Sequence, residues 1–122
     1  MENLAVINTE LGISYCAGIE DIYVEVLGDY IRMYDDNMAA FEQLLSGEDW
    51  KNYSIRIHGL KSNSLNIGAE ELSKLCLALE LAGKAIVAGE SVDEKIQFIK
   101  ENHPVAMKVY AAVIENVKDY LG

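Results

Sequence analysis

Apolar side chains in this chain return every three or four positions over most of its length. Runs that alternate polar and β-branched residues are absent, and the only proline is Pro104. A period near 3.6 marks a helix with one buried face, whereas a half-buried strand alternates. The chain is therefore expected to be all-α. No repeat, low-complexity tract or long linker breaks the pattern. A length of 122 residues suits one domain, residues 1–122, able to bury about two-thirds of its unfolded surface.

The spacing predicts a short N-terminal helix and four long ones. Residues 6–16 form a weak helix, interrupted by Gly12 and ended near Gly18, within an N-terminal segment of residues 1–18. A long helix over 20–45 carries Tyr23, Leu27, Tyr30, Tyr34, Met38 and Phe41 on one face, and Gly47 stops it. Gly28 inside it predicts a packing reason, because glycine weakens a helix interior by about 1 kcal/mol. The next helix spans 49–67 with Trp50, Tyr53, Ile57, Leu60 and Ser64 inward, and ends at Gly68. Another spans 69–88, with Leu72, Cys76, Leu79 and Gly83 inward. The last begins near Ser91, where Ser91 and Glu94 have capping-box spacing, and Pro104 is expected to kink or break it. Four long helices with short connections imply an up-down antiparallel four-helix bundle over residues 19–122.

Charge narrows the function. Twenty Asp and Glu against ten Lys and Arg give a net charge of −10. Phosphate backbones and anionic lipids both require basic patches, so no nucleic acid and no membrane surface is expected as a partner. No apolar run reaches the ~18 residues of a membrane span, and the N-terminus lacks a basic signal-peptide region. Cys16 and Cys76 are too few for a disulfide framework or a zinc motif, and read as buried free thiols in a reducing cytoplasm.

A bundle hosts many activities, so function must come from a site. There are two histidines. His103 precedes the proline and reads as structural, capping the kink or facing water. His58 lies roughly 140° from the centre of its helix's core stripe, at ~100° per residue, and should face solvent. Ile55, Ser62 and Leu65 fall on the same outer side, which makes a docking face around the imidazole. The alternative for Ile55 and Leu65 is burial beneath the N-terminal segment. Lys61 stands one turn on, within reach of charge carried by the ring.

Metal binding needs three or four ligands, and only Ser54 and Ser62 stand near His58 on this helix. A triad needs an oriented carboxylate, and none is spaced nearby in sequence. A neutral imidazole, mostly unprotonated at pH 7 when exposed, is itself a nucleophile at phosphorus. Lys61 could offset the charge of a transferred phosphoryl group.

The stretch His58-Gly59-Leu60-Lys61-Ser62-Asn63-Ser64-Leu65-Asn66-Ile67-Gly68-Ala69 resembles the signature of histidine-containing phosphotransfer (HPt) domains, roughly H-x-L-K-G-x-S-x-x-x-G-A. Glu48-Asp49-Trp50 resembles the family's helix start, and Leu72-Ser73 and Leu79-Glu80 its following helix. The similarity covers about residues 23–80 well, and the last helix only in general character. The family's usual glycine after the lysine is Ser62 here, which puts docking details in question but not the histidine.

The resemblance implies a bacterial phosphorelay intermediate. His58 takes a phosphoryl group from the aspartyl phosphate of a receiver domain and passes it to another receiver aspartate. Lys61 steadies the anion, and Ser64 and Gly68 serve packing and helix termination. The partners are receiver domains of response regulators or hybrid kinases. The receiver supplies the metal ion, so no cofactor and no ATP site is expected in this chain. A cytoplasmic monomer is expected because no apolar helix face is left over, and the chain reads as a piece of a larger hybrid kinase rather than free-standing. A kinase dimerisation domain fits less well, since Gly59 rather than an acidic residue follows His58. A metal-carboxylate bundle is excluded by Ile55 and Lys100 standing three positions before the histidines. The remaining alternative is a non-catalytic helical bundle that binds receiver or kinase domains.

Overall fold

A computed structural model describes residues 3–122. These form α1 (Thr9–Tyr15), α2 (Glu20–Arg32), α3 (Tyr34–Ser46), α4 (Trp50–Asn66), α5 (Glu70–Val87) and α6 (Val92–Leu121), with no strand among the described residues. The most extensive packing is α4 on α5, followed by α5 on α6. The other side is closed by α3 on α4 and α2 on α6. Tyr23, Leu27, Phe41, Tyr53, Ile57, Leu72, Leu79, Ile99, Tyr110 and Val113 fill the space between them. Each such side chain, fully buried, contributes about 2 kcal/mol of hydrophobic stabilisation before entropy is counted.

Several expectations are corrected. The helix expected over 20–45 is divided at Met33. The acidic pair Asp35–Asp36 opens α3, where the helix dipole favours negative charge. The division lets α2 lean on α6 and α3 on α4, with Tyr30 and Tyr34 both edge-on to Tyr110 at 5.7 and 4.8 Å. Pro104 does not break the last helix, and α6 runs on through it. Pro104 and Lys100 are both exposed, so water can take the carbonyl that loses its donor. Ser91 stands at the α6 N-cap but in the left-handed region (φ 46°), and its side chain makes no capping bond. Gly28 has no packing role, since a Cβ there would meet only Arg32's side chain at ordinary contact distance. Gly12 does not interrupt α1; it lies against the Tyr23 ring. Cys76 is buried, with its thiol pushed up to about 12 by burial, whereas Cys16 is only half-buried.

The N-terminal segment ties down the end of α4. The Asn8 amide donates to the Gly68 carbonyl (2.8 Å), and the Tyr23 hydroxyl donates to the Ile67 carbonyl (2.7 Å). Asn8 also caps α1 through Leu11 and reaches Glu70 on α5. It does not cover Ile55 or Leu65, which are both exposed.

Candidate functional site

Helix α4 is fixed at both ends. Asp49 caps its start, accepting from the Asn52 amide at 3.2 Å and from the Asn52 side chain at 2.8 Å. At its end the Gly68 amide donates to Leu65 and the Ala69 amide to Ser64, a Schellman closure with Gly68 at φ 90°. A Cβ at Gly68 would fall 2.0 Å from the Asn8 carbonyl oxygen, so only glycine fits.

Helix α5 runs back along α4. Ser73 pairs with the Lys61 carbonyl, Glu80 with His58, and Gly83 faces Ser54 so closely that a Cβ would sit 2.3 Å from Oγ. This close approach brings Glu80 underneath His58. The Glu80 side chain is only 2% exposed, yet it is fully engaged. Its Oε1 accepts from Lys61 Nζ at 2.7 Å. Its Oε2 faces His58 Nδ1 at 2.8 Å and accepts from Lys84 Nζ at 2.9 Å. Burial works to raise the Glu80 carboxyl, but the bonds from Lys61, Lys84 and His58 overcome it and hold it at about 2. An ionised carboxylate only accepts, so His58 Nδ1 must carry the proton of this bond. In the neutral ring that leaves the Nε2 lone pair free, on a side chain 56% exposed.

The carboxylate beside His58 corrects the sequence reading, which found none nearby. It comes from another helix, 22 positions on. Lys61 does not stand free: it is held on Glu80. Ile55 and Leu65 are exposed around His58, while Ser62 is half-buried and Gly59 has open space above it. Ser64 is buried and shares a 2.7 Å hydrogen bond with the Tyr30 hydroxyl. Leu77 and Leu81 lie exposed on α5, flanking Glu80, so the premise that no apolar face is left over does not hold. Helix α4 carries Lys51, Arg56 and Lys61 and no acidic residue, in a chain with twice as many acidic as basic ones.

His103 is neither a cap nor solvent-facing. It is buried, bonded through Nδ1 to the Tyr53 hydroxyl at 2.9 Å and packed edge-on against Phe41. Burial pushes its pKa down to about 4.

Compared with known families, residues 25–118 match the Hpt domain. The chain belongs to the Hpt family. No curated protein and no solved structure gives a significant match. Hpt domains are phosphocarrier modules of two-component signalling rather than kinases with an ATP site of their own. Among the described residues no group of three or more His, Cys, Asp or Glu side chains is placed to hold a metal. No described helix is long and apolar enough to cross a membrane.

Sequence reasoning about this Hpt chain missed Glu80 and Lys84. A signal for Glu80 was present. It sits between Cys76 and Gly83 on the inward stripe of α5, where a carboxylate needs a partner.

Proposed function

We propose that His58 is the phosphoacceptor of this Hpt domain. The observation that carries the reading is the 2.8 Å contact between His58 Nδ1 and the ionised, buried Glu80. It fixes the tautomer and aims Nε2 outward, as an oriented carboxylate does for the histidine of a triad. The Nε2 lone pair attacks the phosphorus of a receiver's aspartyl phosphate. The N–P bond forms as the P–O bond breaks, and the aspartate leaves with the electron pair as a carboxylate. The proton on Nδ1 stays, so the ring becomes an imidazolium facing Glu80. Reversal toward a second receiver aspartate completes the relay. The receiver brings the metal ion, and this chain contributes positioning and access. Lys61, tied to Glu80, adds positive charge at the site without leaving the carboxylate.

The exposed Ile55 and Leu65, with Ser62 between them, form the docking face. Leu77 and Leu81 extend it across α5. A groove between α3 and α4, lined by Met33, Asn37, Leu44, Arg56 and Gly59, extends it on the other side. An acid-free α4 favours approach of an anionic phosphoryl group. Taking α2 and α3 as one unit, the long helices form an up-down bundle, and the described residues 3–122 form one domain that acts in the cytoplasm.

The test is labelling from a phosphorylated receiver. Wild type should take up an acid-labile, base-stable label, and His58→Gln should take none. A scaffold that only binds receiver or kinase domains would stay unlabelled and would keep binding without the histidine.

A further inference from the structure

Glu80 holds more positive charge than it can neutralise. One carboxylate receives Lys61, Lys84 and the His58 ring. The two lysines are not equivalent. Lys61 has Oε1 to itself and is 23% exposed. Lys84 shares Oε2 with His58 Nδ1 and is 62% exposed. With Nδ1 and Nζ both within 2.9 Å of one oxygen, the ammonium lies close to the ring. Lys84, His58, Glu80, Ser54 and Ile55 together line a shallow recess open to solvent.

Phosphorylation changes the competition for Oε2. The ring gains a positive charge, so its Nδ1–H bond to the ionised Glu80 becomes an ion pair as well as a hydrogen bond and strengthens. The other donor on that oxygen loses part of its hold. At the same moment a dianion appears on Nε2, a few ångströms away. Lys84 is the exposed, flexible cation within reach, whereas Lys61 is held by an oxygen it does not share.

Resting on the phosphoacceptor reading of His58, we propose that Lys84 is a further catalytic residue, which moves from Glu80 Oε2 onto the phosphoryl group when His58 is phosphorylated. Lys61 stays on Glu80 as a positioning residue. Lys84 thus stabilises the phosphorylated state, and Glu80 exchanges a lysine contact for a stronger one to the ring.

The experiment compares wild type, Lys84→Ala, Lys84→Arg and a charge-matched control, Lys74→Ala, on the exposed outer side of the same helix. Each is equilibrated with a phosphorylated receiver, and the phosphoryl share held by this chain is measured. Lys84→Ala should lower that share about fivefold, Lys84→Arg should restore most of it, and Lys74→Ala should match wild type. Melting temperatures should be alike. In 15N- and 13C-lysine spectra of wild type, phosphorylation should shift the Lys84 side-chain signals more than those of Lys61. A labelled wild type with Lys84→Ala indistinguishable from it, with an equal loss in Lys74→Ala, or with Lys61 alone shifted overturns this inference and leaves the role of His58 standing. An unlabelled wild type overturns the phosphoacceptor reading, and this inference with it.

Discussion

The two histidines of this chain each make one hydrogen bond through Nδ1, at nearly the same length, and end up as opposite kinds of residue. His58 meets a buried carboxylate at 2.8 Å and keeps the rest of its ring in solvent. His103 meets a phenol at 2.9 Å and is sealed among aromatic rings. The partner's charge and the ring's exposure decide the difference. An ionised acceptor orients the His58 ring and would balance a positive charge on it. A neutral partner in a dry core cannot, so His103 is held neutral and its pKa falls to about 4. Histidine type and helix position alone do not separate these cases.

Exchanging the two sites is the strongest way to break the contrast. His58→Gln should abolish phosphoryl acceptance while unfolding free energy falls by no more than about 1.5 kcal/mol, since the ring is exposed and Lys61 and Lys84 still hold Glu80. A large stability loss in urea would show that the ring is part of the core. His103→Ala should do the reverse. It leaves a cavity and an unpaired Tyr53 hydroxyl, and should lose about 3 kcal/mol while labelling continues.

Acid separates the sites further. His103 has its folded pKa lowered from 6.5 to about 4, so the unfolded chain binds the extra proton first. Stability should therefore fall as pH drops from about 6.5 to about 4, by about 3 kcal/mol. Glu80 is lowered from 4.5 to about 2, so its contribution is present above pH 4.5 and is lost as pH falls toward 2. Urea titrations across this range should show both losses in wild type and only the lower one in His103→Gln. An upper loss that survives His103→Gln contradicts the assignment.

Smaller effects sharpen the picture of His58. Glu80→Gln keeps an acceptor but replaces a charged hydrogen bond by a neutral one, a difference of about 1.4 kcal/mol, so transfer should slow about tenfold in single-turnover assays. An unchanged rate would mean that the ring needs no negative charge beside Nδ1. Ser62→Gly, which restores the residue usual in the HPt signature, should alter receiver affinity by about twofold, since Ser62 is half-buried beside the ring.

The fold class was legible because the period of three and four runs through nearly every segment. The outer face of α4 was legible because His58, Ile55 and Leu65 sit on one helix, where spacing alone places them. The break at Met33 was not, because the apolar stripe continues in phase across it and only packing against two different helices divides it. Pro104 signals a break in sequence but makes none, since α6 turns that position to solvent. His103 stands beside it on the stripe of Ile99, Ala106 and Tyr110, and that stripe, not the proline, decides its burial. The inward place of Glu80 is legible on the α5 stripe, but its pairing with His58 and Lys84 is not. That pairing depends on the register of α5 against α4, which the close approach of Gly83 to Ser54 sets.

The most direct test of the central claim is 15N and 31P NMR of the phosphorylated chain with labelled histidine. The account predicts phosphorus on Nε2 of His58 and a proton on Nδ1, with His103 unchanged. Phosphorus on Nδ1 of His58, or on His103, would contradict it.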